Sequence, residues 1–440
     1  MDPPAELGAR SMLDGMPQSK KASVAVGDDR ISALPDALIH HVMSFLEARE
    51  AVRTCVLAWR WRHLWKSMPV VRITGPGHAQ QLRKFLDHLL LLRDRSSLEV
   101  FLLEFTEFSQ DDVPYVNLWI RHALLCQVQK LRVAACNDLA ARFPLYNLPF
   151  VSQHLTKLQL FRQILRAKFL DFSSCPALKD LKITKCFIAA DKIYSGSLKR
   201  LNCYQCYFDL DMQYTRTCIC APSLVSLRLV SIGGRTPVFE DMPVIARAVV
   251  TFNYNCEDYC INDDPGYCDD ATCDGCYDID DGSAGCVLLK GLSAAKKLEL
   301  TAEPEMFILK RDLRWCPTFI KLKTLLLSEW CVAGDHRALI CILQHSPVLK
   351  QLTLQLSEKQ EPDSMVPSKA IYSSVEQPFA SGNLKRVKVK CDEVNQRVCS
   401  ILKSLITYGI PFEKITIQQE NKSSEFVSVS SVQVSAQCRG

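Results

Sequence analysis

The sequence predicts a mixed α/β chain: a short three-helix module, then an irregular repeat solenoid with parallel strands on its concave face. Two observations lead there. Residues 29–72 carry apolar side chains at helical spacing. From about residue 97 the pattern becomes L-x-x-L-x-L, repeated along most of the remaining chain.

In the first segment Leu34, Leu38, Val42 and Phe45 recur at spacings of three and four, with Ile39, Met43 and Leu46 beside them. Pro35 and Asp36 suit a first helical turn: proline needs no donor there, and a carboxylate opposes the positive end of the helix dipole. A second short helix carries Val52, Cys55 and Val56, and a third carries Trp61, Leu64 and Trp65. A module of this size buries too little area to be stable alone. Its helices also have more apolar face than one side needs, so a partner helix lying in a groove is expected.

The repeat motif starts at Leu98-Phe101-Leu103, Val128-Leu131-Val133, Leu155-Leu158-Leu160 and Leu178-Leu181-Ile183. It continues at Leu198-Leu201-Cys203, Leu224-Leu227-Leu229, Leu298-Leu300, Leu322-Leu325-Leu327, Leu349-Leu352-Leu354 and Leu384-Val387-Val389. Middle positions are 30, 27, 23, 20, 26, 71, 27, 27 and 35 residues apart. Most of these match the period of about 20 to 29 residues of leucine-rich repeats. The L-x-L pair makes a short strand whose alternate side chains face inward. One repeat cannot bury its apolar face alone, so repeats stack. Lys157, Gln159, Lys182 and Thr184 then line the concave face.

The 71-residue gap holds an insert, residues 256–286. Within it, residues 256–281 carry ten acidic residues and no Lys or Arg, which predicts a mobile loop. Residues 1–28 read as a disordered leader, 358–382 as a second exposed loop and 419–440 as a flexible tail. The solenoid is assigned to 73–418.

Net charge is +5, spread over the chain, and does not point to nucleic acid. Arg60, Arg62 and His63 around Trp61 read as a solvated helix face. Lys385, Arg386, Lys388 and Lys390 read as the open side of a strand. No apolar run reaches the roughly 18 residues of a membrane span. No secretory segment is evident, so a nuclear or cytoplasmic, reducing location is expected, with the 21 cysteines as free thiols.

Six cysteines cluster in the insert: Cys256, Cys260, Cys268, Cys273, Cys276 and Cys286. Cys273 and Cys276 form a C-x-x-C, whose short turn aims two thiolates at one ion. With Cys256 and Cys260 they are the zinc candidates, although a cysteine-rich acidic loop without metal is the simpler expectation, and no cofactor is assigned. Cys203-x-x-Cys206 falls on a strand position and reads as core. No nucleophile elbow, P-loop, H-E-x-x-H or clear dinucleotide fingerprint occurs. Asp335-His336 and His345-Ser346 read as ordinary loop and helix-end pairs. No catalytic residue is assigned.

Asp29 to Ile39, Val42 to Leu46 and Thr54 to Trp65 closely resemble the plant F-box, departing from it at Ala58-Trp59, where the family more often has a serine. Leu313 to Phe319, Leu322 to Cys331 and Leu343 to Pro347 resemble the plant F-box/leucine-rich-repeat family. Residues 384–418 resemble its C-terminal FBD-like repeat, with Arg397-Val398 and Gly409-Ile410-Pro411 as landmarks. The resemblance implies a non-catalytic substrate receptor of an SCF-type ubiquitin ligase. Its partners would be a Skp-family adaptor, through it a cullin, and an unknown protein target. Carried over by position, the adaptor-binding residues would be Leu34, Pro35, Leu38, Ile39, Val42, Leu57, Trp61, Leu64 and Trp65. The alternative is a repeat scaffold without ligase activity, with a metal-binding Cys-rich loop.

Overall fold

The computed structural model describes residues 34–429 apart from 75–77, 95, 137–141, 147–149, 167–168, 209–215, 263–267, 269, 271, 274, 277–284, 305, 333–335, 357–381 and 421–425. The expected leader and nearly all of the expected 358–382 loop lie outside these residues.

The N-terminal module opens with α1 (Asp36–Met43) and α2 (Ala48–Arg53). Pro35 sits at the N-cap of α1 in extended geometry, and Asp36 begins the first turn. The expected second helix ends at Arg53 and passes into a 3-10 turn, Thr54–Val56, and the expected third is broken into two one-turn 3-10 pieces, Trp59–Arg62 and Leu64–Ser67. Ala58 is fully extended and interrupts the run. Bulky aromatic and β-branched residues in this stretch favour helix weakly.

Behind the module runs a mixed α/β array built on one long parallel ladder. Its strands are Val70–Ile73, Val100–Phe105, Lys130–Ala135, Lys157–Phe161, Asp180–Thr184, Arg200–Tyr204 and Ser226–Gly234. They continue through Arg247–Cys256, Lys297–Thr301, Thr324–Leu327, Gln351–Gln355, Arg386–Cys391 and Ile415–Glu420. The motif sets the register: Leu131, Leu158, Leu181, Leu201 and Leu227 stand beside one another, each L-x-L pair on the next. Ala248 fills the missing position across the long gap, aligned with Leu227 and Leu298. Phe426–Val429, expected in the loose tail, pairs antiparallel with Ile417–Glu420 and closes the ladder.

Parallel sheets are usually covered on both faces. Here burial alternates along the strands, with Leu158 and Leu160 inside and Lys157, Gln159 and Phe161 partly open. The closed side is backed by helices at both ends of the array. Early repeats use α3 (Ala79–Leu92) and α4 (Val113–Leu125); later ones use the short α5 (Leu289–Leu292) and α6 (Phe307–Asp312), then α7 (Arg337–Gln344) and α8 (Gln396–Thr407). Between them the repeats are shorter, and the return path uses strands. One set is Phe143–Tyr146, Gln163–Arg166, Phe187–Ala189 and Tyr207–Phe208. A separate four-stranded parallel sheet stacks Phe169–Asp171, Lys192–Tyr194, Cys218–Cys220 and Val238–Phe239. A period of 20 to 26 residues leaves no room for a full helix, and the return segments are rich in Ile, Phe and Tyr.

One continuous apolar core runs from Ile39 to Ile417. No helix among the described residues is long and apolar enough to cross a membrane. Nineteen described cysteines are free thiols, but Cys399 on α8 is disulfide-bonded, against the expectation that all would be free.

Candidate functional site

The N-terminal module is fused to the ladder. Its last residues are the first strand, with Val70 beside Val100 and Ile73 beside Leu103. Polar links complete the junction. Arg72 Nε donates to the Ser44 carbonyl at 2.8 Å, and the Thr74 N–H donates to the Glu47 carboxylate at 2.8 Å. Arg93 donates to the Met68 carbonyl at 2.6 Å. Strand pairing and polar contacts together tie the module to the sheet.

Of the side chains assigned to an adaptor, Ile39, Trp61 and Trp65 are 1%, 7% and 9% exposed. They pack with Met43, Ala48, Ala51 and Met68 inside the chain's own core, so they offer no surface to a partner. Their helical spacing did not separate the inward stripe from the outward one. Leu34 and Leu64 are half-buried, and Pro35 is exposed. Leu38, Val42 and Phe45 face out along one stripe, and Val56, Leu57 and Trp59 face out from the turns that follow. Trp59 is 84% exposed, which makes it the largest uncovered apolar side chain of the module. It lies at the point where the sequence departs from the usual F-box. Phe45, Val56 and Trp59 were not among the expected docking residues. The signal for them was the alternation of burial along the helices, which one sequence does not resolve. Arg60 is ion-paired with Asp36 on the same exposed side.

The second candidate site is in the acidic insert. The expectation of a mobile loop falls mostly on residues outside the described ones; among those described, Asp258, Cys260, Cys273 and Cys276 are buried. Two buried arginines from outside the segment bind to it. Arg216 pairs with Asp258 at the entry. Arg311, on α6 (Phe307–Asp312), donates from Nε and Nη2 to the Cys276 carbonyl at 3.1 and 2.9 Å, and from Nη1 to Gly285 O at 2.8 Å. At the exit, Asp312 accepts from the backbone N–H groups of Val287, Leu288 and Leu289.

Cys260, Cys268, Cys273 and Cys276 come together there, all four sulfurs lying within 4.8 Å of one another. Cys256, named with the zinc candidates, is elsewhere: its thiol donates to Asp258 Oδ2 at 3.4 Å. Cys268 takes its place. Spacing missed Cys268 because the residues between it and Cys273 do not form a short C-x-x-C turn.

Cys316, Cys341 and His345 form a second, smaller group. The hydrogen bond from Cys316 holds the Cys341 thiol down to about 6, with His345 helping and burial opposing. His345 Nδ1 is also within 2.8 Å of the Cys341 carbonyl. Ser346 donates to the Ile342 carbonyl, and His336 Nδ1 meets Ser404 Oγ at 2.8 Å; Asp335 lies outside the described residues. Cys203 and Cys206 are both buried, as their strand position predicts.

Residues 31–72 match the F-box domain family. The chain is similar to the MEIOTIC F-BOX protein MOF of rice, 30% identical over 351 residues that span 74% of this chain and 71% of the relative. It is similar to an F-box/FBD/LRR-repeat protein of Arabidopsis thaliana, 27% identical over 89% of this chain and 94% of that one. A second Arabidopsis F-box/FBD/LRR-repeat protein is 26% identical over 80% and 82% of the two chains.

Proposed function

The chain belongs to the plant F-box/leucine-rich-repeat family, and from that premise we propose that it is the substrate-receptor subunit of an SCF-type ubiquitin ligase. The observation that carries this reading is the uncovered apolar stripe of Leu38, Val42 and Phe45 with Val56, Leu57 and Trp59, on a module whose other face is sealed into the core. A large aromatic with aliphatic neighbours is what a helical partner would bury. The partner is a Skp-family adaptor, which links the chain to a cullin. We read the parallel ladder as a leucine-rich-repeat solenoid whose open strand face holds the protein target.

On this reading the chain performs no chemistry. Its contribution is positional: it holds target lysines near a charged conjugating enzyme and raises their effective concentration. A receptor of this kind works best when adaptor and target surfaces are rigidly joined. The continuous pairing of Val70–Ile73 with Val100–Phe105 supports that requirement.

The test is reconstitution with a Skp-type adaptor and then with adaptor plus cullin. Wild-type chain should enter both complexes, and a chain carrying Val42→Asp with Leu57→Asp should enter neither while keeping its melting temperature. Normal assembly by that double variant, or assembly with adaptor but never with cullin, would refute the ligase role.

A further inference from the structure

We propose that Cys260, Cys268, Cys273 and Cys276 bind one zinc ion as four thiolates, and that this ion is the structural core of the insert.

The distances carry the argument. Sulfur separations are 3.5 Å for Cys268 to Cys276, 3.8 Å for Cys273 to Cys260 and 3.7 Å for Cys276 to Cys260. Zinc–thiolate bonds of about 2.3 Å in a tetrahedron require sulfur–sulfur edges of about 3.8 Å. Disulfides require sulfurs at about 2.05 Å, and none of the four cysteines is in a disulfide. Cys273 and Cys276 are fully buried, Cys260 nearly so and Cys268 half-buried, and four sulfur ligands fill a tetrahedral structural site.

The surroundings are built for the same purpose. The Cys276 N–H donates to the Cys273 carbonyl at 3.0 Å, closing the C-x-x-C turn. Gly275 lies in that turn against the backbone of Tyr259: a Cβ there would stand 1.8 Å from the Tyr259 carbonyl oxygen. The glycine therefore lets the turn approach the Tyr259–Cys260 backbone. The Cys268 N–H points at Cys276 Sγ at 3.4 Å, and Asn262 Nδ2 at Cys268 Sγ at 3.3 Å. Donors aimed at sulfur stabilise the thiolate form that a metal needs. The Arg311 guanidinium, ion-paired with Asp312, is anchored on the Cys276 carbonyl and so fixes the position of that ligand.

Energetics point the same way. Between its ends, where Cys256 and Cys286 pack against the main core, the described insert has one small apolar cluster, these four cysteines with Phe307 of α6. That is too little to fold a segment with ten carboxylates. Metal binding supplies the missing folding free energy. Softness selects the metal: an all-sulfur tetrahedral set takes zinc rather than the hard cations that carboxylates would attract.

The test uses the full-length chain, co-expressed with adaptor where needed and purified under reducing conditions without chelator. Elemental analysis should find one zinc per chain. Cys273→Ser should lose it, while Cys256→Ser and Cys341→Ser, each outside the cluster, should keep it. Wild-type protein stripped with chelator and titrated with cobalt should show the visible absorption of a tetrahedral thiolate site, saturating at one equivalent. That measurement stands even where Cys273→Ser fails to fold. Metal-free native protein with no cobalt spectrum, iron in place of zinc, two disulfides among the four residues, or zinc lost equally on Cys341→Ser would each overturn the proposal. None of these readouts involves adaptor binding, so they are independent of the ligase assignment.

Discussion

Asp258 and Arg216 form an ion pair across 42 residues of sequence, and both side chains are almost completely buried. Asp258 also accepts from the Thr236 backbone N–H at 2.9 Å and from the Thr236 hydroxyl. Burial alone would push this carboxyl up, but Arg216 and Thr236 overcome it and hold it below the ordinary carboxylate range. A depressed folded-state value stabilises above the unfolded value of about 3.9 and is lost as pH falls through the folded one. The insert should therefore keep this contribution at neutral pH and open only in strong acid. Asp258→Asn leaves a buried guanidinium uncompensated and should cost about 3 to 5 kcal/mol. Denaturant unfolding at pH 7 checks the magnitude; a loss below about 1 kcal/mol would contradict the buried-pair account.

Burial divides the module's apolar residues into two classes with opposite mutant behaviour. Trp61→Ala empties a core position and should destabilise by about 3 to 5 kcal/mol. Trp59→Ala removes an exposed ring and should leave stability within about 0.5 kcal/mol. Adaptor binding should show the reverse order at a temperature where both variants are folded, with Trp59→Ala weakening it by about tenfold or more, as expected for an aromatic hot spot. Thermal melts and titration with purified adaptor provide both readouts. Equal adaptor affinity for Trp59→Ala and wild type would remove Trp59 from the docking surface.

The ladder was legible because L-x-x-L-x-L fixes strand position, inward face and register together; Leu181 could stand only beside Leu158 and Leu201. The module's existence was legible too, but not its orientation. Ile39 and Leu38 are adjacent and equally apolar, yet one is core and the other open. The cysteine cluster was legible only in part, because Cys273-x-x-Cys276 is a local spacing whereas Cys260 and Cys268 join it through the fold, and the arginines that bind the segment, Arg216 and Arg311, come from distant sequence. The return strands were hidden because the turns into them use no glycine. Arg162, Lys185 and Gln205 adopt left-handed backbone just after successive ladder strands, and Ser231 does so inside Ser226–Gly234, where the register shifts.

Those left-handed residues make a stability prediction. Gln205 has φ 50° and an exposed side chain, and its N–H continues the ladder by donating to Val230 O at 2.8 Å. A side chain in this region costs about 1 to 2 kcal/mol, and glycine's extra unfolded-state entropy returns about 0.5 to 1 of it. Gln205→Gly should therefore raise stability by about 0.5 to 1 kcal/mol, whereas Gln205→Ala should change little. Destabilisation by glycine on chemical unfolding would show that the Gln205 side chain contributes more than its backbone conformation costs.

The register also aligns charge. The first outward position of successive strands is Lys130, Lys157, Asp180, Arg200, Ser226, Arg247 and Lys297, with Arg386 further along the same row. Asp180 is paired with Arg200 through two contacts and Lys297 with Glu299, so the row's net positive charge rests on Lys130, Lys157, Arg247 and Arg386. Rows of exposed like charge raise the association rate of an oppositely charged segment and make it salt-dependent. On the receptor reading, targets should present acidic stretches to this row. Lys157→Glu with Arg247→Glu should lower recovery of ubiquitinated targets several-fold in proximity labelling under proteasome inhibition, while adaptor binding and melting temperature stay unchanged. Raising salt should weaken capture by wild type far more than by the charge-reversed variant. An unaltered target profile in the reversed variant would place recognition elsewhere on the strand face, at positions such as Gln159, Asn202 and Thr353, where hydrogen bonding rather than charge would select the target.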